Sequence, residues 1–382
     1  MSKTKILFIG PLPPPYSGPE LSMKQFLESK ELNEHFNILF LQTNFRKSNK
    51  NKGKFGLGMI LNFFVFFFKL TSILIFQNPK LIYYPITPTQ FGWIGRDVWT
   101  ILLSKLFRKK IIIHLRGSHF KLNFKTFKSL VQKLVSYSLR KVDFAIVQAN
   151  YLHDQFEPFI PSEKVKTLYQ SMDINEYPFA SKKKRIKGKI LVIGHLTKAK
   201  GYTDILKIIP DISELFPFVQ FCFAGEMRKG ERGVFFNQVT NEKILYEDPF
   251  EEEKKILSSK YRVNYKNLGI ISGKEKLDHL QNSSLFISAS YSEGFSRALL
   301  ESMSTGTPLV YTPVGAHREI LNDTNGKSFI PGDVEALKKH ITELLKPDFD
   351  EETGLTNRLK VEKEFSVDKI CNDFKNILID SL

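Results

Sequence analysis

Two glutamates, Glu293 and Glu301, stand eight positions apart in the segment EGFSRALLE. Eight residues are a little over two turns of an α-helix, so a helix over 293–303 would point both carboxylates to nearly the same side. A carboxylate there can accept hydrogen bonds from the neighbouring hydroxyls of a ribose or a hexose. The alternative interpretation is a helix with an acidic first turn and a second acid on a solvated face.

The residues around Glu293 favour a ligand site. The apolar run LFIS precedes this segment, so Gly294, Phe295 and Ser296 fall where a strand ends and a helix begins. Backbone N–H groups in the first turn of a helix have no partner within the helix and bind phosphates or hydroxyls. The segment therefore combines acceptors for sugar hydroxyls with donors for an anion.

Two other glycine turns follow predicted strands. GHLTKAKG follows KILVIG and places Gly194, His195 and Lys200 before a helix, where lysine supplies charge for phosphate oxygens. It has neither the P-loop pattern nor Gly-x-Gly-x-x-Gly. GPLPPPYSGPE follows the first strand and contains Gly18 just before another helix. Because ligands bind beyond the carboxyl ends of parallel strands, these turns predict binding sites on equivalent sheet edges.

The elements that carry these residues alternate along the chain. Short apolar strands and segments of helical periodicity follow one another in both halves, which predicts an α/β fold of two doubly wound, Rossmann-like domains. The polar segment 181–189 precedes a fresh strand and marks the join. We expect domains over 1–180 and 181–365 and a final amphipathic helix over 366–382. The predicted helices include 91–107 and 127–139.

The charge of the chain limits its partners. A formal net charge of +16 over 382 residues favours nucleic acid, an anionic membrane or a phosphate-bearing substrate. The sequence has no helix-turn-helix, zinc or RNA-module pattern, so we expect no nucleic-acid partner. Cys222 and Cys371 have no metal or redox spacing and predict a reduced, cytoplasmic compartment. The start MSKTKILFIG reads as a strand and not as a signal peptide.

Several segments suggest contact with a membrane surface. The apolar stretch 59–76 is shorter than a membrane span and carries Lys69, so it predicts a buried or interfacial helix. Its phenylalanines are expected in the core, with a partly exposed face as the alternative. Basic runs at 46–54, 105–110 and 121–128 suit an anionic lipid surface. In the last of them Leu122, Phe124 and Phe127 are interleaved with lysines, a pattern typical of an interfacial surface. A solvated basic surface is the alternative.

The second half resembles the nucleotide-sugar domain of family 4 glycosyltransferases, which have the GT-B fold. The matching segments are ILVIGHLTKAKGYTDIL, KNLGIISGKEKL and LFISASYSEGFSRALLESMSTGTPLVYTPVGAHREIL. The first half is similar through PPPYSGPE and IIIHLRGSHF, and the resemblance covers roughly 5–346. It implies two domains facing a central cleft, with the acceptor in the N-terminal domain, the nucleotide sugar in the C-terminal domain and the last helix packed on the N-terminal domain.

The resemblance implies roles for particular residues. Glu293 would bind hydroxyls of the donor sugar, Glu301 the ribose diol, and Lys200 the diphosphate together with the N–H groups of Phe295 and Ser296. Catalytic roles would fall to Glu293, Lys200, Arg116 and His114. The remaining donor contacts would be Gly18, Gly194, His195, Gly269, Ile270 and Gly294.

The function implied is a retaining glycosyltransferase that moves a sugar from a nucleoside diphosphate sugar, with UDP favoured over GDP, and that needs no cofactor or metal. The expected acceptor is a saccharide or a polyprenyl-linked saccharide in bacterial capsule, exopolysaccharide or lipopolysaccharide synthesis. We expect the protein in the cytoplasm, peripheral on the inner face of the plasma membrane. The alternatives are a nucleotide-sugar epimerase of the same fold and a non-catalytic, membrane-associated partner subunit.

Three positions depart from the family pattern. His195 follows Gly194 where arginine is common, Ser17-Gly18 replaces a double glycine, and Arg116 stands where the family usually has histidine. A guanidinium stays protonated, so Arg116 is expected to bind an acceptor phosphate or sugar hydroxyls and not to act as a base. His114 and His119 remain the candidate rings nearby, and alternation along the strand puts His114 and Arg116 on one face.

Overall fold

The structure is a computed structural model that describes residues 3–14, 18–43, 57–227, 235–346 and 351–382. The chain divides into two compact units. The first consists of Met1–Ser171 with Val367–Leu382, and the second is Met172–Ser366.

The first unit is a parallel sheet with helices on both faces. Its strands lie in the order β2-β1-β3-β4-β5-β6. Ile6, Phe8, Tyr83 and Ile112 are fully buried because the helices cover both faces, so the strands are apolar almost throughout. The elements are β1 Thr4–Gly10, α1 Gly18–Glu28, α2 Lys30–His35, β2 Phe36–Gln42, α3 Leu57–Ser72, β3 Leu81–Ile86, α4 Gln90–Gly92, α5 Val98–Leu106, β4 Lys110–Leu115, α6 Phe120–Lys125, α7 Ser129–Leu139, β5 Phe144–Val147 and β6 Val165–Thr167.

The second unit repeats this arrangement with the strand order β12-β11-β10-β7-β8-β9. Each pair of neighbouring strands is parallel, so the strands end at one edge of the sheet. The elements are β7 Ile186–Ile193, α8 Tyr202–Leu215, β8 Gln220–Ala224, α9 Pro249–Leu257, β9 Tyr265–Gly269, α10 Gly273–Asn282, β10 Ser283–Ser288, α11 Arg297–Ser304, β11 Leu309–Tyr311, α12 His317–Ile320, β12 Lys327–Ser328, α13 Val334–Leu345 and α14 Glu351–Phe365.

The boundary between the units lies nine residues before the predicted one, after Ser171 instead of after residue 180. The Met172 N–H donates to the Phe365 carbonyl over 2.7 Å, and the Arg358 guanidinium donates to the carbonyls of Ile174 and Tyr177. These bonds attach 172–180 to α14. The last helix, α15 Val367–Asp380, belongs to the first unit, where Phe374 packs among aromatic side chains.

The polar join at 181–189 is attached to the second unit by side-chain hydrogen bonds. The Arg185 guanidinium donates to the carbonyls of Ala180, Ser283 and Thr305, over 2.9–3.2 Å for the first two and 2.8 Å for the third. One basic residue therefore ties the segment to the second unit, a role that a charge count does not reveal.

The helix predicted over 91–107 is broken. A π-helical turn, Trp93–Asp97, separates α4 from α5. Asp97 is fully buried, and its carboxylate accepts hydrogen bonds from the Tyr84 hydroxyl (2.5 Å) and from the backbone N–H and hydroxyl of Thr87 (2.8 and 2.7 Å). The wider turn accommodates this inward-facing carboxylate. The helix predicted over 127–139 begins at Ser129.

The phenylalanine-rich helix α3 is core on one side and exposed on the other, which is the alternative that the sequence left open. Phe66 and Leu70 are buried, whereas Phe64 and Phe68 on the other side are exposed. No helix in the part of the chain that the structure describes has both the length and the apolar character needed to span a bilayer.

The basic segment 121–128 does not present its aromatic residues to an interface. Phe124 packs against Phe120 and Phe159, and Phe127 is buried, because these rings complete an aromatic cluster inside the first unit. The Lys121 ammonium pairs with Asp154 at 3.1 Å. The basic run at 46–54 lies outside the described residues.

Candidate active site

A small recess lies at the carboxyl edge of the second sheet. Gly194 and His195 follow β7, and Ser290 follows β10. Lys200, Glu293 and Ser296 also line the recess. The recess has a volume of about 20 Å³, enough for one water molecule. Parallel strands bring these segments together although almost a hundred residues separate Lys200 from Glu293 in the sequence.

Close backbone contacts hold the loop between β7 and α8, which carries Lys200, against the end of β10. Gly201 has φ +71°, and a Cβ there would lie 2.2 Å from the carbonyl oxygen of Ala289. Only glycine combines this conformation with so close an approach. Gly225 makes a similar contact, since its Cβ would lie 1.7 Å from the Gly194 carbonyl oxygen. Lys200 is thereby placed directly beside the end of β10.

Lys200 and Glu293 form an ion pair in the recess. The ammonium donates to Oε1 of the carboxylate over 2.6 Å, and the Ser290 hydroxyl donates to the same oxygen over 2.7 Å. Burial would raise the pKa of Glu293, but Lys200 and His317 hold that pKa below its ordinary value. No other described residue donates a hydrogen bond to Oε2, so this oxygen can accept hydrogen bonds from a ligand.

Glu293 lies before the helix, not within it as predicted. The helix α11 begins at Arg297, and its N-cap Ser296 accepts a hydrogen bond from the Leu299 N–H at 3.3 Å. The side-chain amide of Gln238 bonds both the N–H and the carbonyl of Glu293, each over 3.1 Å. These bonds hold Glu293 in a loop, so the two glutamates do not share a helix face.

Glu301 occupies a separate, fully buried position on α11. The Arg297 Nε lies 3.3 Å from Oε1, and the Lys276 Nζ lies 2.5 Å from Oε2 in an ion pair whose angles are not those of a hydrogen bond. Burial raises the pKa of the neighbouring Tyr177, and the negative charge of Glu301 adds to this effect. The carboxylate thus lies between two cations that the sequence analysis did not single out.

His317 is a further residue beside Glu293 that the sequence analysis missed. It is fully buried, and its Nδ1 donates to the Thr312 carbonyl over 3.0 Å. Its Nε2 is buried and has no hydrogen-bond partner among the described residues. Burial lowers the pKa of His317, and the Glu293 carboxylate partly opposes that change. VGAHREIL belongs to the segment that carried the resemblance, but a histidine 24 positions after Glu293 gives no local signal of contact.

Gly315 explains why His317 comes so close. It has φ +51°, and a Cβ there would lie 2.1 Å from the carbonyl oxygen of Glu293. The Ala316 N–H donates to the Gly294 carbonyl over 3.1 Å. The loop before α12 is therefore bonded directly to the loop that carries Glu293.

The other residues that were predicted to contact the nucleotide sugar lie at different places in the fold. Gly269 ends β9 with φ +64°, and Ile270 after it is exposed, but neither belongs to the recess lining. Gly294 and Phe295 lie between Glu293 and the N-cap of α11. Gly18, in the first unit, is the first residue of α1, and Ser17 before it lies outside the described residues.

His114 and Arg116 share one partner in the first unit. The Arg116 Nη2 donates to the Tyr83 hydroxyl over 3.2 Å, and that hydroxyl lies 2.7 Å from Nδ1 of His114. The hydroxyl and Nδ1 thus share one hydrogen bond, while the buried Nε2 of His114 has no hydrogen-bond partner among the described residues. Burial, together with the charge of Arg116, lowers the pKa of His114 well below its usual value. The Arg116 guanidinium also lies 5.7 Å from the centre of the Phe26 ring.

Comparison with known proteins gives three kinds of match. Residues 173–358 match the family model described as "Glycosyl transferases group 1". Glycogen synthase of Mycobacterium tuberculosis is 24% identical over 219 residues, which are 56% of this chain and 48% of the relative. O-antigen chain mannosyltransferase B of Escherichia coli is 36% identical over 81 residues, 21% of each chain. The chain spans about half the length, or less, of the curated relatives it matches.

Solved structures match over nearly the whole chain. Anabaena HepE in complex with UDP has a TM-score of 0.71 at 17% identity and covers 99% of this chain and 100% of its own. The apo form of lipopolysaccharide outer core galactosyltransferase WaaB has a TM-score of 0.68 at 15% identity, with coverage of 99% and 100%. At these identities the likeness concerns the fold, and it confirms the predicted architecture of two doubly wound units.

Proposed function

We propose that this chain, whose residues 173–358 match the group 1 glycosyltransferase model, transfers a sugar from a nucleoside diphosphate sugar with retention of configuration. The observation that carries this proposal is the recess in which Lys200 pairs with Glu293 and leaves Oε2 of the carboxylate open. A positive charge for a diphosphate and an acceptor for sugar hydroxyls thus lie within one hydrogen bond of each other.

The proposed chemistry needs charge stabilisation at the leaving group. The bond between the anomeric carbon and the phosphate oxygen breaks, and its electron pair goes to the diphosphate. The acceptor oxygen bonds to the anomeric carbon and gives its proton to the departing diphosphate oxygen. Lys200 has three N–H donors, so it can keep Glu293 and still bind a phosphate oxygen. The N–H groups of Phe295 and Ser296, before α11, would add donors to the same charge.

The proposed nucleotide contacts extend from the recess. Glu301 would accept hydrogen bonds from the two ribose hydroxyls. The main chain of Gly269 and Ile270 would contact the base. Close approach of the nucleotide sugar to the backbone would occur at Gly18, Gly194, His195 and Gly294. UDP is favoured because solved structures of the similar HepE carry UDP and UDP-glucose.

The proposed acceptor is a saccharide or a polyprenyl-linked saccharide in the synthesis of a bacterial cell-surface polysaccharide. The similarity to an O-antigen mannosyltransferase and to a lipopolysaccharide galactosyltransferase supports this class. Arg116 would bind an acceptor phosphate through its positively charged guanidinium, while the neighbouring His114 stays neutral. The net charge of +16 supports a peripheral position on the inner face of the plasma membrane.

A panel of nucleotide sugars tests the donor. The purified full chain is heated with UDP-, GDP- and ADP-sugars, and a bound donor raises the melting temperature in a concentration-dependent way. We expect the rise with a UDP-sugar. Transfer is then measured with the stabilising donor and a polyprenyl-diphosphate saccharide. Absence of any stabilising nucleotide sugar contradicts the proposal.

A further inference from the structure

One side of α3 and the turn after it is apolar and exposed. The α3 face, as we call it, consists of Leu61, Phe64, Val65, Phe68, Ile75 and Phe76, whose exposed fractions are 64%, 64%, 37%, 77%, 52% and 76%. Its first four members follow the spacing i, i+3, i+4 and i+7, which places them on one side of the helix. The opposite side, with Phe66 and Leu70, packs into the first unit.

Such a face is unusual on a folded protein. The spacing of Leu61, Phe64, Val65 and Phe68 normally marks the side of a helix that faces the core. Single exposed apolar residues are common, but a contiguous row of this kind indicates a site of interaction with another surface. Three phenylalanines in the row carry a large apolar area with few rotatable bonds.

Basic residues border the α3 face. The Lys5 ammonium donates to the Gln77 side chain over 3.3 Å. The Lys109 ammonium donates to the side chain of Asn78, directly after the π-helical turn Ile73–Gln77 that follows α3. Lys69 is exposed on α3 itself. Among the described residues 57–96 the sequence has three lysines or arginines and no aspartate or glutamate. The charge around the face is therefore complementary to an anionic partner.

A groove adjoins the same face. It has a volume of about 460 Å³ and lies between the edge strand β2 and α3, where Phe40, Leu41 and Gln42 face Phe68, Lys69 and Ile73. Its walls are mostly apolar with one lysine. A phospholipid fits this chemistry, because its acyl chains are apolar and its headgroup phosphate is anionic.

We propose that the α3 face docks on the surface of an anionic lipid bilayer. The helix lies along the interface with Leu61, Phe64 and Phe68 at the level of the upper acyl chains, while Lys5, Lys69 and Lys109 meet the phosphates. The inference rests on the proposed membrane contact, but it assigns that contact to α3 and not to the basic segment 121–128.

Vesicle sedimentation tests the proposal. The full chain is mixed with phosphatidylcholine vesicles, with or without about one third phosphatidylglycerol, and the bound fraction is measured at constant salt. We expect binding to the anionic vesicles. Replacement of two exposed phenylalanines, Phe64→Ser/Phe68→Ser, should weaken that binding at least about tenfold. Leu355→Ser/Leu359→Ser provides the matched control, because these residues are also exposed and four apart on a helix.

The outcomes distinguish whether the protein binds a membrane at all from whether it binds through the α3 face. Lysine replacement, Lys69→Gln/Lys109→Gln, should remove the preference for anionic over neutral vesicles. Equal binding by Phe64→Ser/Phe68→Ser and the wild type would overturn the assignment to α3 while leaving the membrane contact standing. If the wild type binds no vesicles, or if it dimerises through these phenylalanines instead, both are overturned. Donor binding, measured by the melting temperature, tests the transferase function separately.

Discussion

At the scale of single residues, the recess depends on which side chains carry charge. Glu293 is held ionised by Lys200, and His317 is held neutral by burial. The first group is therefore an acceptor for hydroxyls at neutral pH. The neutral ring of His317 donates its Nδ1 proton in a hydrogen bond to the Thr312 carbonyl and supports the loop that carries Glu293.

Replacement of Glu293 should separate sugar binding from nucleotide binding. In Glu293→Gln the charged acceptor is lost while the size of the side chain is kept. A hydrogen bond to a charged group contributes about 1.5–3 kcal/mol, so the affinity for a UDP-sugar should fall about tenfold to a hundredfold. Calorimetry with UDP alone should show a smaller change. An equal loss for UDP and the UDP-sugar would contradict a contact between Glu293 and the sugar.

Replacement of Glu301 should affect both stability and nucleotide affinity. Glu301→Ala leaves Arg297 and Lys276 without their buried partner, which typically costs about 3–5 kcal/mol of unfolding free energy. The affinity for UDP should fall about tenfold to a hundredfold because the ribose acceptors are gone. Urea unfolding and calorimetry measure the two effects. Unchanged UDP affinity in a folded variant would remove Glu301 from the proposed site.

Two buried histidines make stability depend on pH. Burial lowers the pKa of both His114 and His317, so the unfolded chain takes up their protons at a higher pH than the folded chain. Their contribution to stability is complete above the unfolded pKa of about 6.5 and is lost as pH falls toward the folded values. Urea unfolding at pH 7.5 and 5.5 should show lower stability at the lower pH.

A double variant tests which groups are responsible for that pH dependence. His114→Asn/His317→Asn retains an acceptor for Tyr83 and a donor for Thr312, but it cannot titrate. The difference in unfolding free energy between the two pH values should shrink in this variant. A wild-type difference that persists unchanged would assign the effect to other groups.

At the scale of elements, the site depends on where loops meet and helices begin. α11 starts at Arg297 because Ser296 caps it and Gln238 binds the backbone of Glu293. The helical spacing of Glu293 and Glu301 suggested one continuous helix. No local pattern indicated that an amide 55 residues earlier in the chain would compete for the same backbone.

The loop between β7 and α8 should tolerate no side chain at Gly201. Gly201→Ala places a Cβ against the Ala289 carbonyl at φ +71°, which should cost more than about 1 kcal/mol and displace Lys200. We expect a lower melting temperature and weaker donor binding. Gly95→Ala is the matched control, since a Cβ there meets nothing within 4 Å. Equal stability of the two variants would argue against this tight contact.

At the scale of the whole molecule, the chain returns to its first unit after completing the second. α15 places Phe374 against Phe8, Phe26 and Tyr83, with ring centres 4.5–5.6 Å apart. The first unit therefore needs residues from both ends of the chain. The net charge of +16 likewise belongs to the molecule as a whole, although the stretch 35–96 contributes to it without any acid.

Loss of this contact should destabilise the first unit. Phe374→Ala removes a fully buried aromatic side chain, and such changes typically cost about 3–5 kcal/mol. Thermal unfolding followed by intrinsic fluorescence measures the effect. Leu359→Ala, at an exposed helical position, should change stability by less than about 0.5 kcal/mol. Equal effects would mean that α15 contributes little to the core of the first unit.

The sequence by itself determined the α/β class, the strand–helix alternation in both halves and the glycine turns that place Lys200 and Glu293 at one sheet edge, because periodicity and turn residues are local properties. Only the tertiary structure decided the partners of the charged groups: Lys276 and Arg297 for Glu301, His317 for Glu293, and Tyr83 between His114 and Arg116. It also decided which side of α3 is exposed. These features depend on contacts between residues distant in sequence, and a hydrophobic period identifies an apolar side of a helix without saying what covers it.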